Sequence, residues 1–471
     1  LSKHYDLIII GTGSGNSIPG VENHDKSIAI VEKGRFGGTC LNVGCIPTKM
    51  FVYAAEVART IKEAKKYGIS AKIEHIDWPS IVSRVFDKRV DPIAEGGEEY
   101  RRGPKTPNID VYDQHARFVG PKTILTGQGS KEVEISGDEI VIATGARPFI
   151  PEAVLESGVE YYTNENIMRL EALPKSMIVY GGGYIAMEFA HMFDALGVEV
   201  KIVNRSEKLL RHLDSEVSDA FTELTKQAME THLGSNVASV AAVGSGAGAG
   251  KGENAQEGVE VTLENGTKVQ ADLLLVATGR TRNGDQMDLD RAGIEMDGGR
   301  IKVDEYGRTN VDGVWALGDV SSPYQLKHVA NAEMRTIKHN LEHPDDLQKL
   351  PHEHVPAAVF TNPQIASVGI TEDEAREQGL DITVKVQRYG DVAYGWAMED
   401  ETSFAKIIAD KHSKQILGAH FMGPQASTLI QQIITAMNFG INAEQLAKDE
   451  YWIHPALPEL TENALLGLDF S

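Results

Sequence analysis

Cysteine is nearly missing from this chain: two of its 471 residues, Cys40 and Cys45, with four residues between them. Bridging so short a loop removes little unfolded-chain entropy, so a stapling role has weak motivation. A redox role is better motivated, with two apolar buried thiols as the plain alternative. Basic residues are in deficit, 46 Lys and Arg against 68 Asp and Glu, for a net charge of -22. That balance opposes non-specific attraction to nucleic acid or to an anionic membrane surface, and neither is expected as a partner. No uninterrupted apolar run reaches transmembrane length. Nor does a cationic stretch followed by an apolar segment open the chain, so the expected location is the cytoplasm. In a reducing compartment a bridge between the two cysteines would be chemical rather than structural. No metal-ligand set is assigned.

What is present is length enough for two to four domains, a composition ordinary for a soluble enzyme (41% hydrophobic, 24% charged) and 46 glycines. Residues 6–10 (DLIII) form an apolar run that enters Gly11-Thr12-Gly13-Ser14-Gly15-Asn16. A buried strand feeding a glycine turn lets a backbone approach a pyrophosphate, although Asn16 stands where a third glycine is usual. After a helix-length interval, residues 27–31 read as a second strand ending in Glu32, an acid placed to accept from ribose hydroxyls. The cysteines follow, within residues 37–49 (GGTCLNVGCIPTK), at the entry to a helix expected over 50–66. A helix entry can stabilise a thiolate.

Residues 78–100 read as another helix whose end is marked by Gly96-Gly97 and Gly103-Pro104, and residues 109–140 as a small antiparallel sheet. Residues 140–145 return as a strand into glycine. Residues 176–180 then open a second nucleotide unit with Gly181, Gly182 and Gly183, partnered by 199–203. The second strand ends in Asn204-Arg205, with Arg211 beyond, where an acid would meet an unphosphorylated ribose. Guanidiniums there suit a 2′-phosphate, while a solvated charge run is the ordinary alternative. Residues 244–252 (GSGAGAGKG) read as a flexible surface hairpin loop. Residues 273–280 repeat the strand-to-glycine signature, and 314–320 supply a strand with Asp319 at its carboxyl end. From 351 the pattern turns α+β, with strands at 357–360, 366–368, 382–387, 404–409 and 416–421 and helices at 426–437 and 443–447. His454-Pro455 follows, with Glu459 five residues after the histidine, a spacing at which a carboxylate can orient an imidazole.

The cysteine stretch, both nucleotide units, residues 316–319 and the His454…Glu459 ending together resemble the class I pyridine nucleotide-disulfide oxidoreductases, over essentially the whole chain. The resemblance implies α/β and α+β architecture: two Rossmann-like nucleotide-binding domains plus a C-terminal α+β dimerisation domain. The expected division is 1–149 (FAD-binding, first part, with the redox pair), 150–275 (NADPH-binding), 276–350 (FAD-binding and central, second part) and 351–471 (dimerisation). It implies FAD and NADPH as cofactors, a homodimer, and a small-molecule disulfide as substrate. Cys45 would be the thiolate facing the flavin and Cys40 the thiol that attacks substrate. Lys49 would pair with Glu188, and Tyr184 would cover the nicotinamide pocket. Gly11, Gly13, Glu32 and Asp319 would bind FAD, Gly181, Gly183, Arg205 and Arg211 would bind NADPH, and Thr39, Thr144, Gly145 and Arg280 would also be cofactor-binding residues. His454 and Glu459 would act in the partner's disulfide site. The glycine turn with Asn16, residues 451–459 and residues 462–466 further resemble a branch whose disulfide substrate is polyhydroxylated. Dihydrolipoyl dehydrogenase is the alternative within the family, and a non-catalytic flavoprotein scaffold the alternative outside enzymes. A mercuric reductase would carry a cysteine pair at its end, which this chain lacks.

Overall fold

The computed structural model describes residues 3–244 and 258–471. All of the loop expected at 244–252 except Gly244 lies outside the described residues. The first sheet grows from the strand Lys3–Ile10, whose last four residues are buried, as a central parallel strand requires. It pairs in parallel with Ile28–Val31 on one side and Lys131–Ile142 on the other. Ile109–Tyr112 and Val314–Ala316 extend the parallel sheet at its two sides. The stretch 109–140 is therefore not one antiparallel sheet. Its first strand joins the parallel layer, and only Arg117–Gly120, Thr123–Gln128 and the start of Lys131–Ile142 form the antiparallel meander.

The interval after the first glycine turn is not an α-helix. It contains a 3-10 turn, Ser14–Ser17, and another at Val21–Asn23. Pro19 has no N–H to carry a helix on, and Gly20 is extended (φ -119°, ψ -173°), so no helix propagates. Asn16 gains a different use. The buried guanidinium of Arg101 donates to its Oδ1 at 3.0 Å, to its carbonyl at 2.5 Å and to the Pro19 carbonyl at 3.3 Å.

The second expected helix is a rod of three parts: Trp78–Val85, a π turn Phe86–Val90, and Asp91–Arg102. Pro92, with no N–H to give, follows the widened turn. Gly96 and Gly97 lie inside this rod, not at its end. The second nucleotide unit is a parallel sheet in the order Glu230–Leu233, Glu199–Asn204, Ser176–Tyr180, Leu273–Val276. Val240, Val259, Val261 and Val269 of a three-stranded antiparallel layer pack on it through Ile178 and Leu274.

The C-terminal unit is a five-stranded antiparallel sheet, Ala357–Val359, Ile365–Gly369, Ile416–Met422, Phe404–Asp410, Ile382–Arg388. Helices Ala426–Phe439, Ala443–Lys448 and Glu459–Leu466 share its core. Phe404, Val359 and Met422 continue into the cluster of Phe189 and Phe193, which joins this unit to the second nucleotide unit. Lys406, 2% exposed, lies 2.9 Å from Asp214 across the same seam and 2.7 Å from Glu372 of its own unit. A charge so deeply buried is tolerable only when paired, so the cluster pins the two units in one arrangement.

Candidate active site

Both nucleotide units use one device at the strand-to-turn step. A Cβ on Gly11 (φ +106°) would lie 2.3 Å from the Ala143 carbonyl oxygen, and one on Gly181 (φ +140°) 2.2 Å from that of Ala277. Only glycine permits both the dihedral and the approach. The space beside Gly13, Gly145 and Gly183 is by contrast open, giving each cradle a mouth. Glu32 accepts from the Thr12 N–H at 3.0 Å and the Thr12 hydroxyl at 2.6 Å, and its second oxygen from the Gly34 N–H at 2.9 Å. A Cβ on Gly38 would fall 2.7 Å from the Gly13 Cα, so the cysteine stretch rests directly on the first turn. Asp319, in the turn Gly318–Val320, has its pKa raised by burial and lies 3.7 Å from the Arg280 guanidinium, which also donates to the Ala146 carbonyl. Thr39 is exposed, and the Thr144 hydroxyl meets the Met287 sulfur at 3.7 Å. An open cradle with a ribose-type acid and a buried carboxylate at a neighbouring strand end fits FAD.

The helix after the cysteines starts at Cys45 itself, Cys45–Glu63, five residues earlier than its apolar spacing suggests. Cys40 sits in a preceding helical turn, Gly38–Asn42, folded by Asn42 Nδ2 donating to the carbonyls of Phe36 at 2.8 Å and Gly38 at 3.1 Å. Both cysteines are free thiols. The Cys45 thiol donates to Cys40, and this bond chiefly pushes the Cys40 thiol down to about 7 against the cost of burial. The Lys327 charge and the N–H groups of Ile46 and Cys45 add to it. Cys45 moves the other way, because its thiol donates a hydrogen bond to Cys40, loses part of its hydration there, and faces the Cys40 and Glu188 charges. The Cys45 thiol, Lys327 and the two N–H groups thus all favour the charged form of Cys40.

Lys49 and Glu188 do not form the expected ion pair. Phe360, just beyond a strand of the C-terminal unit, stands between their roles: its N–H donates to Glu188 at 2.9 Å and its ring centroid lies 4.3 Å from the Lys49 ammonium. Lys49 turns to Glu56 at 3.5 Å instead. Burial pushes Glu188 up to about 7. Tyr184, in the first turn of the helix Tyr184–Ala195, is half-exposed one turn before Glu188; burial raises its phenol, whose charged neighbours are Asp319, Arg280 and Glu188. At the second cradle Asn204 Nδ2 donates to the carbonyls of Ser206 at 3.0 Å and Lys208 at 3.3 Å, shaping the loop that presents Arg205 and Arg211. Lys208 is paired with Asp219, while among the described residues both arginines are exposed without an ion pair.

His454 Nδ1 lies 2.6 Å from Glu459 Oε1, and Glu459 Oε2 accepts the Ala456 N–H at 3.2 Å. The bond from His454 chiefly holds Glu459 below the usual carboxylate range. The carboxylate fixes the proton on Nδ1 and leaves Nε2 to act. The imidazole is 70% exposed, and among the described residues no hydrogen bond joins it to either cysteine of its own chain. Sequence reasoning missed Phe360, Arg101 and Lys327. None stands in a motif; each reaches the site from an element far away in the chain.

Two dinucleotide cradles meeting at a dithiol define a nucleotide-linked thiol oxidoreductase. Residues 5–335 match the family described as Pyridine nucleotide-disulphide oxidoreductase, and residues 355–465 match its dimerisation domain. The chain is 52% identical over 473 residues to mycothione reductase of Mycobacterium tuberculosis, covering 98% of this chain and 99% of that protein. It is 31% identical to dihydrolipoyl dehydrogenase of Corynebacterium glutamicum, covering 99% and 98%. The solved HOCl-induced flavoprotein disulfide reductase RclA of Escherichia coli superposes with a TM-score of 0.83 at 26% identity, covering 98% of this chain and 99% of that one. The chain belongs to the pyridine nucleotide-disulphide oxidoreductase family. It is a flavoprotein disulfide reductase that uses FAD and NADPH. Among the described residues no helix is long and apolar enough to cross a membrane.

Proposed function

We propose that this protein reduces mycothiol disulfide to mycothiol in the cytoplasm, as a homodimer. The observation that carries the substrate is the 52% identity to a mycothione reductase across nearly the full length of both chains, against 31% to a dihydrolipoyl dehydrogenase. The Cys40 thiolate attacks one sulfur of the substrate disulfide, forming a mixed disulfide and expelling the first thiol, which takes its proton from His454 of the partner subunit. Cys45 then passes its proton to His454 of the partner subunit and attacks the Cys40 sulfur; the Cys40–Cys45 bond forms, and the second thiol leaves with that proton from the imidazole. FAD held beside the pair and reduced by NADPH would supply the electron pair needed to reopen that bond. Tyr184 covers the nicotinamide pocket, and Glu188, buried and near neutrality, limits the negative charge beside Cys45. Steady-state rates with the disulfides of mycothiol, glutathione, lipoamide and trypanothione, measured side by side, test the substrate. A kcat/KM for mycothiol disulfide below that for any other would refute it.

The free guanidiniums of Arg205 and Arg211 are read as the clamp on the 2′-phosphate of NADPH. The double replacement R205A/R211A is expected to raise KM for NADPH by roughly 10- to 100-fold and to leave KM for NADH nearly unchanged. Equal losses for both coenzymes would remove the arginines from that role.

A further inference from the structure

A dinucleotide cradle usually takes its diphosphate at the N-terminus of a full helix, where unpaired N–H groups and the macrodipole offer positive charge. Here the first cradle leads only into the 3-10 turn Ser14–Ser17, closed off by Pro19 and Gly20. Four residues in that geometry carry little dipole. Across the site, Lys327 is the first residue of the helix Lys327–Glu342, and its ammonium lies 2.8 Å from the Ser14 hydroxyl. That hydroxyl donates to Asn331 Oδ1, one turn along the same helix, at 2.9 Å. Ser14 is thereby oriented: it accepts from Lys327 and gives to Asn331.

Lys327 is half-buried, and among the described residues no carboxylate lies within ion-pair distance of it. The charged groups that feel it are Asp319 and Cys40. An ammonium bonded to one neutral hydroxyl keeps two donors for an anion, and its position beside the glycine turn is where a diphosphate approaches. We propose that Lys327 binds the diphosphate of FAD, supplying at Ser14 the positive charge that a full helix provides in other cradles of this kind.

The test is FAD release from the purified holoenzyme, followed by the rise of free-flavin fluorescence after dilution at low and at high salt. K327M is expected to release FAD about tenfold faster at low salt, with a smaller acceleration by salt, and K327R to stay near the unaltered enzyme. K327Q, which keeps a hydrogen-bond donor for Ser14 without the charge, is expected to follow K327M and replaces it if K327M does not accumulate folded. Release unchanged in K327M or K327Q overturns the proposal, as does K327R behaving like K327M. Alkylation of the reduced enzyme across pH supplies the contrast: a shifted Cys40 profile with unchanged FAD release would assign the Lys327 charge to the thiolate instead and overturn the diphosphate role.

Discussion

The C40S enzyme is expected to retain FAD and its reduction by NADPH while losing disulfide turnover by roughly 10⁴-fold or more. A serine hydroxyl in the same place cannot supply the anion that a thiol held at about 7 does, because its oxygen stays protonated throughout the working range. The pH dependence has a definite sign. A thiol whose folded pKa lies below its ordinary value is anionic above about 7 and becomes protonated as pH falls through it, so alkylation of the reduced enzyme should slow on acidification with a midpoint near 7. The bond from Cys45 is the largest source of that shift, and C45A is expected to raise the midpoint. C45A should also trap the substrate on Cys40 as a stable mixed disulfide, visible by intact mass, because the attack that resolves it is gone. Turnover by C40S within tenfold of the unaltered enzyme, or a mixed disulfide accumulating on Cys45 in C40S, would exchange the roles of the two sulfurs.

Short-range patterns carried most of this architecture. The strands at residues 6–10, 27–31, 176–180 and 273–276 were legible because a strand buried on both faces is a near-continuous apolar run. The C-terminal strands were legible to within a residue or two because one face of each is core. The first nucleotide helix was misread because the interval has helical length, and length outweighed the Pro19-Gly20 break that forbids it. Gly96 and Gly97 misled in the opposite direction: a helix braced along its length tolerates glycines that would end an isolated one. At the site, residue types that chemistry requires were readable from spacing, including the Cys40–Cys45 pair and His454 with Glu459. What spacing could not reveal was which partner each charge finds. Phe360 takes both Lys49 and Glu188 through a contact between units 172 residues apart for its N–H bond, and no local rule anticipates it. The lowered pKa of Cys40 likewise follows from the Cys45 thiol, Lys327 and the N–H groups at the helix entry, which folding brings together.

H454A is expected to lower disulfide turnover by roughly 10²- to 10⁴-fold while NADPH still reduces the flavin at close to the unaltered rate. The departing substrate sulfur needs a proton, and Cys45 must lose one before it attacks; an imidazole with Nδ1 committed to Glu459 at 2.6 Å offers Nε2 for both transfers. E459Q keeps a side chain of the same shape but weakens the acceptor, so its loss should be smaller and concentrated in kcat. The subunit from which His454 acts can be read from mixed dimers. When C40S and H454A subunits are refolded or exchanged in equal amounts, half of the dimers are hybrids. In each hybrid, a site composed across subunits pairs the intact Cys40 of one chain with the intact His454 of the other. Turnover should then recover to about a quarter of the unaltered value, although each parent is nearly inactive. The exposure of His454 within a single chain, together with Phe439, Tyr451 and Ile453 exposed on the same unit, supports that arrangement. If both residues acted from one chain, every hybrid site would lack one of them and no activity would return.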